Sequence, residues 1–214
     1  MGKKNNLTKK MKNFNKQNLT KFSEDYIEYL KNLLDNINPE KLEECFETLE
    51  LARKKKNNIF IIGNGGSAST ASHIGNDFGL AALKISKSKK SEPYRVISLT
   101  DNNSVITALG NDNGFENIFV EQLKILFNPG DVLLVISASG NSRNIINACD
   151  WVNNNSGKTI GWLGFDGGNL LKKVSCALLV ETPKGEYAPV EDIHLIFNHI
   201  LVSWMHIYLI KFDK

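Results

Sequence analysis

The chain has 214 residues, of which 42% are hydrophobic and 23% are charged, and these values are ordinary for a soluble globular protein. No stretch reaches the roughly 18 unbroken apolar residues of a membrane helix, and the N-terminus lacks the apolar core of a signal peptide. Composition therefore argues against a secreted or membrane-embedded protein and predicts a cytoplasmic one with no membrane partner. Three cysteines without a Cys-x-x-Cys pair predict reduced, buried thiols.

The first 21 residues differ in charge from the rest of the chain. They contain seven of its 26 lysines and arginines and none of its 23 acids, so the remainder is acidic as a whole. A segment rich in Asn and Lys and poor in apolar residues is typical of a flexible tail. We predict a basic tail over 1–21 and a single domain over 22–214. Only Phe14 interleaves with the lysines, so no nucleic-acid partner is expected.

Two amphipathic helices are predicted to follow the tail. Apolar residues recur at three- and four-residue steps from Phe22 to Ile37, and this helix ends near Pro39. A second helix carries apolar residues from Leu42 to Ala52 and has lysines in its last turn, where cations suit the helix dipole. Together they are predicted to form an N-terminal helical hairpin.

Beyond Asn57, short apolar runs alternate with helical patterns. This alternation predicts an α/β fold with five parallel strands and helices on both faces of the sheet. The predicted strands are 59–62, 95–99, 132–136, 159–163 and 177–180. The predicted helices are 67–82, 103–109, 115–127, 142–155 and 167–173, and residues 84–91 are predicted to form an exposed loop.

The C-terminal stretch 190–212 is rich in apolar residues and contains three of the four histidines. Charged and amide residues interrupt it, so we interpret it as a long helix of the domain and not as a membrane span. His194 and His206 are interpreted as structural. With the N-terminal hairpin, this helix offers more apolar surface than one sheet needs. Oligomer packing would use the excess, and covering its own domain is the alternative.

Two loops of small residues each follow a predicted buried strand. The first spans Gly63–Ser69, and the second, which contains three serines, spans Ser137–Ser142. Backbone N–H groups, hydroxyl donors and the positive end of a helix bind phosphate oxygens, and glycine lets the backbone approach closely. Two such loops in one domain point to a phosphorylated small molecule. Helix capping is the alternative role for Ser142 alone.

The first loop also fits the dinucleotide fingerprint Gly-x-Gly-x-x-Ala at 63–68. That fingerprint requires an acid about 20 residues further on. The acid that follows the second strand, Asp101, lies 38 residues beyond Gly63. A nucleotide would also leave the serine loop without a role, so we favour the phosphorylated small molecule.

Two pairs of histidine and carboxylate can carry chemistry. His73 and Asp77 are four residues apart in one predicted helix, and Glu191 and His199 are eight apart in another, so each pair shares a helix face. Such a set suits general acid–base catalysis or a divalent ion such as zinc. The alternatives are a structural His73, a solvated Asp77 and a Glu191 that only stabilises its helix terminus.

Five motifs of small and polar residues occur along the chain. They are Gly63-Asn64-Gly65-Gly66-Ser67, Gly110-Asn111-Asp112-x-Gly114-Phe115, Gly130-Asp131-Val132-Leu133, Ser137-x-Ser139-Gly140-Asn141-Ser142 and Gly164-x-Asp166-Gly167-Gly168. Together they resemble the phosphoheptose isomerases of the sugar-isomerase (SIS) superfamily, and the similarity runs in matching order from about residue 22 to 210.

The resemblance implies a three-layer αβα sandwich that assembles as a homotetramer with active sites shared between subunits. It implies an enzyme that converts sedoheptulose 7-phosphate into D-glycero-D-manno-heptose 7-phosphate through a cis-enediol. The implied acid–base pair is Asp77 and His199. The implied zinc ligands, for one ion per subunit, are His73, Asp77, Glu191 and His199. The implied substrate contacts are Asn64, Gly65, Ser67, Asp101, Asn102, Ser137, Ser139, Ser142 and Glu191.

Two of the four implied zinc ligands depart from the family pattern, which usually has Glu at 77 and Gln at 191. Asp77 is one methylene shorter, and Glu191 adds a negative charge that favours a cation and repels an anionic intermediate. Two alternatives therefore stay open. One is a SIS isomerase for another phosphosugar of glycan biosynthesis, and the other is a non-catalytic tetrameric SIS protein with a binding or regulatory role.

Overall fold

A five-stranded, all-parallel sheet forms the centre of the fold. In the computed structural model, which describes residues 10–81, 83 and 91–212, the strand order is β2-β1-β3-β4-β5. The α/β class and the parallel sheet are confirmed, and every predicted strand end lies within one residue of the observed one. The strands are β1 (Asn58–Gly63), β2 (Arg95–Ser98), β3 (Val132–Ser137), β4 (Lys158–Gly164) and β5 (Cys176–Val180).

Helices cover both faces of the sheet and complete the predicted three-layer αβα sandwich. One hydrophobic core lies between the sheet and α1, α2, α3 and α7, and a second lies between the sheet and α4, α5 and α6. Successive strand residues such as Ile61 and Ile62 point into different cores. The helices are α1 (Leu19–Leu34), α2 (Pro39–Lys54), α3 (Gly66–Ile74), α4 (Asn103–Asp112), α5 (Val120–Leu126), α6 (Arg143–Asn154) and α7 (Tyr187–Lys211).

The helix predicted over 67–82 changes type along its length. It is α-helical to Ile74 and continues as a π-helix over Gly75–Ala81. Residue 82 and residues 84–90 of the predicted loop lie outside the described residues. Phe78, within the π-helix, is buried in the first core, whereas Asp77 stays only partly buried.

Two other predicted helices are shorter than the sequence pattern indicated. The helix predicted over 115–127 is a 3₁₀ turn at Phe115–Asn117 followed by α5, and the one predicted over 167–173 is a 3₁₀ turn at Gly168–Lys172. A glycine with positive φ precedes each turn, Gly114 in one case and Gly167 in the other. The chain therefore enters each turn through a bend that most other residues would resist.

The long C-terminal helix α7 supports the first core along its whole length. Nine of its residues are buried, and they recur from Pro189 to Leu209. Within the described residues it is the one helix that is long and apolar enough to cross a membrane by length and composition. Core helices of soluble proteins pass the same test, and the burial of α7 against the sheet is the behaviour of a core helix.

The segment before α1 differs from the prediction of a tail up to residue 21. Phe14 is 3% exposed, and its ring packs edge-on against Phe22 and Tyr29. The Met11 backbone N–H donates to Glu186 Oε1 at 3.1 Å, and the Tyr29 hydroxyl donates to Glu186 Oε2 at 2.7 Å. Met11 therefore contacts the N-cap of α7 and Phe14 packs against α1, while residues 1–9 lie outside the described residues.

All three cysteines are free and buried, as the sequence predicts. Cys45 lies in α2, Cys149 in α6 and Cys176 at the start of β5. Burial raises the pKa of the Cys45 thiol to about 12 and those of Cys149 and Cys176 to about 11.

Candidate functional site

The two loops of small residues lie side by side at the carboxyl edge of the sheet. β1 has β2 on one side and β3 on the other, and Gly63 at the end of β1 is in register with Ile136 in β3. The chain leaves these neighbouring strands toward opposite faces of the sheet. In open α/β sheets, this topological switch point forms the crevice that binds ligands.

The first loop turns tightly into helix α3. Gly65 has φ 56°, and α3 begins at the next residue. A Cβ atom on Gly63 would lie 2.5 Å from the Ser67 carbonyl oxygen, so only glycine fits this close return of the chain. Three backbone N–H groups of the first turn of α3 donate to the Asn64 and Gly65 carbonyl oxygens. The positive end of the α3 dipole lies at the crevice and favours an anion there.

The serine loop follows β3 and precedes α6. Ser137 Oγ accepts a hydrogen bond from the Gly140 N–H at 3.1 Å, and Ser139 Oγ accepts one from the Asn141 N–H at 3.3 Å. Ser142 stands at the N-cap of α6, but its hydroxyl makes no capping bond. The simple capping role considered for Ser142 is therefore not the one seen here.

A third loop, after β4, supports the serine loop from behind. Gly140 has φ 62°, and a Cβ there would overlap the Gly167 carbonyl oxygen. The Asn169 N–H donates to Asn141 Oδ1 at 3.0 Å, which fixes the two loops together. The Gly-x-Asp-Gly-Gly motif thus has a packing role.

An amide pair joins the first loop to the serine loop. Asn64 Nδ2 donates to Asn144 Oδ1, and Asn144 Nδ2 donates to Asn64 Oδ1, both at 2.9 Å. Asn144 is 2% exposed and lies in the first turn of α6. Sequence reasoning missed Asn144, because nothing in the local pattern distinguishes it from a solvated helix residue.

Three of the predicted catalytic and metal-binding side chains meet between α3 with its π-helical extension and α7. His73 Nε2 lies 3.0 Å from Asp77 Oδ2, and His199 Nε2 lies 3.3 Å from His73 Nε2. Asn198, which was not predicted, donates from Nδ2 to Asp77 Oδ2 at 2.6 Å. His73 and His199 are exposed on this subunit, whereas Asp77 is partly buried.

The donor atoms of His73, Asp77 and His199 fit a divalent cation. They all lie within 4.8 Å of one another. Donors that surround zinc tetrahedrally at about 2.0–2.1 Å lie about 3.3 Å apart, close to the 3.0 and 3.3 Å separations seen here. Two imidazole nitrogens and one carboxylate are also the ligand types that zinc prefers.

Glu191, the fourth predicted ligand, lies apart from this group of three. A Cβ on Gly66 would overlap the Glu191 carboxylate, so that carboxylate sits against the first turn of α3. The positive end of the helix dipole favours a carboxylate at this position. Glu191 thus lies beside the first loop, where a substrate contact is predicted.

Asp101 and Asn102 follow β2 at the same edge of the sheet. Asp101 Oδ1 accepts hydrogen bonds from Ser72 and from Ser98 Oγ, the latter at 2.9 Å. Asn102 is the N-cap of α4, and its side chain accepts from the Val105 N–H at 3.1 Å. Asp101 is therefore fixed beside α3, while the Asn102 side-chain oxygen already caps α4.

His194 is fully buried under the sheet edge. Its Nε2 lies 3.2 Å from the Leu163 carbonyl oxygen, and burial lowers the pKa of His194 to about 4. The ring is therefore neutral near pH 7, and Nε2 must be the donor because a carbonyl only accepts. Nδ1 has no hydrogen-bond partner.

The fold and the site define a class of protein, the SIS domain proteins that handle phosphosugars, and the SIS domain family matches residues 25–164. The phosphoheptose isomerase of Nitratiruptor sp. is 37% identical over 159 residues, which are 74% of this chain and 79% of that protein. The chain belongs to the phosphoheptose isomerase family and is a phosphosugar isomerase.

Two solved structures share the whole architecture. The phosphoheptose isomerase from Neisseria gonorrhoeae superposes with a TM-score of 0.74 at 28% identity, covering 86% of this chain and 94% of that one. The phosphoheptose isomerase from Francisella tularensis superposes with a TM-score of 0.74 at 26% identity, covering 87% and 95%. The structural similarity therefore covers more of the chain than the matched domain does.

Proposed function

We propose that the chain converts sedoheptulose 7-phosphate into D-glycero-D-manno-heptose 7-phosphate. The observation that carries the proposal is that α3 begins in a phosphate-type loop and then presents His73 and Asp77 to His199. Six residues separate Ser67 from His73, a distance of about 9 Å along a helix. A phosphate on one end of a seven-carbon chain and a carbonyl near the other end suit such a separation.

The two phosphate-type loops would hold the phosphoryl group at the switch point. The positive end of the α3 dipole favours the phosphoryl group. Its hydrogen-bond donors are the hydroxyls of Ser67, Ser137, Ser139 and Ser142. Asn64 and Gly65 line the same loop, and Asp101, Asn102 and Glu191 contact the sugar hydroxyls. The loops orient the sugar so that its first two carbons reach the pair of Asp77 and His199.

Isomerisation needs one proton moved between carbons and one between oxygens. The Asp77 carboxylate takes a proton from C1 of the ketose, and the C2 carbonyl becomes part of a cis-enediol. His199 carries a proton from the C1 hydroxyl to the C2 oxygen. Asp77 then returns its proton to C2, which yields the aldose with no net gain or loss of protons.

A zinc ion held by His73, Asp77 and His199, one per subunit, is part of the proposal. Glu191, the fourth ligand implied by the sequence, would join these three only by moving from its position against the first turn of α3. When bound, it supplies polarisation of the carbonyl and hydroxyl and stabilises negative charge on the substrate oxygens. Ligand atoms cannot exchange protons while they hold a metal, so the two roles of Asp77 and His199 compete. Assays with and without added zinc distinguish these roles.

The active protein is proposed to be a cytoplasmic homotetramer with shared active sites. His73 and His199 are exposed on the single subunit, although proton transfer benefits from a site closed to water. Helix α7 continues past His199 with exposed apolar side chains, which a neighbouring subunit would cover. These exposed residues are Ile200, Trp204, Ile207 and Ile210.

A panel of ketose phosphates, assayed with and without zinc, tests the proposal. Turnover that is highest with sedoheptulose 7-phosphate supports it. Higher turnover with a different phosphosugar would favour the second candidate, an isomerase of another glycan pathway, to which the short Asp77 and the charged Glu191 lend support. Tight binding of phosphosugars without turnover of any would instead indicate a binding protein.

A further inference from the structure

We propose that Asn198 is a positioning residue that holds the Asp77 carboxylate in its working orientation. The inference rests on the proposed function, because it concerns the carboxylate to which that function gives the proton transfer between carbons. The juxtaposition that carries it is a fully buried amide that donates to Asp77 Oδ2, the same oxygen that contacts His73.

The geometry fixes one carboxylate oxygen from two sides. Asn198 Nδ2 donates to Asp77 Oδ2 at 2.6 Å, and His73 Nε2 lies 3.0 Å from the same oxygen. A carboxylate can otherwise rotate about its last bond, since that torsion has a broad profile. A charge-assisted hydrogen bond of this length, made by a fully buried donor, opposes that rotation, so Oδ2 stays directed at His73.

Helix α7 presents Asn198 and His199 to different surroundings. Successive helix residues point about 100° apart, so Asn198 is fully buried while its neighbour His199 is exposed. Helix α7 thus carries both His199, a proposed reacting group, and Asn198, which supports the Asp77 carboxylate. Any shift of α7 moves both together relative to Asp77.

An amide at position 198 is unfavourable for packing alone. Its Oδ1 is buried without a hydrogen-bond partner, and an unsatisfied buried acceptor costs about 1–3 kcal/mol. The neighbouring buried residues of the helix, Phe197 and Leu201, are apolar. Leucine would avoid this cost, so the contribution of Asn198 lies in the bond that it donates to Asp77.

The test compares Asn198→Leu with wild type in three measurements: steady-state kinetics, zinc affinity by competition with a chelator, and thermal unfolding. Loss of a group that orients a metal ligand typically weakens metal affinity or activity about 10–100-fold. We expect kcat to fall by that factor with KM changed less than about twofold, and zinc to bind correspondingly more weakly. Asn198→Ala replaces it if the leucine side chain prevents folding.

Thr159→Val is the matched control for loss of a buried polar group. Thr159 is 0% exposed, donates to Asn153 Oδ1 at 3.1 Å and lies at the opposite edge of the sheet. It should lower the unfolding temperature while leaving kcat and zinc affinity unchanged. If kcat falls in proportion to the loss of stability in both variants, the role of Asn198 is merely structural.

A double variant tests whether Asn198 acts through Asp77. In an Asp77→Asn background, adding Asn198→Leu should not weaken zinc binding further. Unchanged kcat and zinc affinity in Asn198→Leu, or an undiminished effect in the double variant, would overturn the inference. A wild type that binds zinc without turnover would refute the proposed function but leave the zinc comparison decisive for Asn198. A wild type with neither property would refute both.

Discussion

The Asp77 carboxylate contacts three other side chains. Its Oδ2 contacts His73 and Asn198, while Oδ1 accepts from Asn76 Nδ2 at 3.2 Å. A carboxylate held in this way keeps a lone pair aimed in one direction, which is what proton abstraction from carbon requires. Substitution at this residue should therefore separate chemistry from binding.

We predict that Asp77→Asn loses isomerisation but keeps phosphosugar binding. The amide has the same shape but cannot accept a proton, and a general base typically contributes about 10²–10⁴-fold to the rate. Measured kcat should fall at least that far, while the dissociation constant of a non-isomerisable sugar phosphate should change little. Retained turnover would remove Asp77 from the mechanism.

His194 is predicted to make folding stability depend on pH. Burial lowers the pKa of His194 from 6.5 to about 4, so the unfolded chain takes up a proton before the folded one does. The stabilisation is complete above pH 6.5 and is lost as the pH falls toward 4, by up to about 3 kcal/mol. Urea unfolding at several pH values measures this loss.

The variant His194→Gln isolates that contribution. Glutamine keeps a donor for the Leu163 carbonyl oxygen but does not titrate. Its unfolding free energy should fall less between pH 6.5 and pH 4 than that of the wild type. An identical pH dependence in both proteins would show that His194 is not the source.

At the scale of elements, the serine loop depends on backbone contact with the loop after β4. We predict that Gly140→Ala weakens substrate binding, because Gly140 has φ 62° and a Cβ would overlap the Gly167 carbonyl oxygen. A positive φ alone costs alanine about 1–2 kcal/mol. Displacing the loop from even one phosphate hydrogen bond should raise KM about tenfold.

Gly79→Ala is the matched control for the loop variant. A Cβ on Gly79 would meet nothing within 4 Å, and Gly79 lies in the helical stretch after α3. KM should be unchanged, and stability should rise by up to about 1 kcal/mol. Equal kinetic effects in the two variants would contradict the role given to the loop.

The sequence predicts the strands better than the helices. Continuous apolar runs bounded by glycine and serine locate β1 and β3, because both faces of these strands are buried and no periodicity has to be judged. The π-helix after Ile74 and the 3₁₀ turn at Phe115–Asn117 depend on how these segments pack in the folded domain. Neither leaves a signal in residue spacing.

The site likewise contains some residues that the sequence predicts and others that it does not. His73 and Asp77 are recognisable because helical spacing brings residues four apart onto one face. The roles of Asn144 and Asn198 can be recognised only in the folded structure, because their hydrogen bonds join segments that are distant in sequence. Phe14 is a similar case. It joins the core through Phe22 and Tyr29, and this becomes evident only when α1 packs onto α7.

At the scale of the whole molecule, the exposed histidines and the apolar side of α7 belong to one surface. Ile200, Ile207 and Ile210 are 44%, 43% and 53% exposed, and they continue along the helix that carries His199. In the proposed tetramer, a surface of this kind would supply the contacts between subunits and would close the active sites.

We predict that Ile207→Glu dissociates the proposed oligomer and lowers kcat. A carboxylate buried at an interface without a partner is strongly unfavourable, and separated subunits would leave His73 and His199 open to water. Light scattering measures the assembly, and the isomerase assay measures the site. Ile125→Glu, on α5 and 83% exposed, should change neither, and a wild-type monomer would contradict the prediction.

The three buried thiols give each layer of the molecule its own chemical reporter. Cys45 and Cys149 lie on opposite faces of the sheet and Cys176 lies in an edge strand. Because burial and a raised pKa keep them in the unreactive protonated form, alkylating reagents modify them only when the surrounding element opens. Modification rates read by mass spectrometry would therefore rank the helical layers and the sheet edge by their opening frequency, without introducing any label.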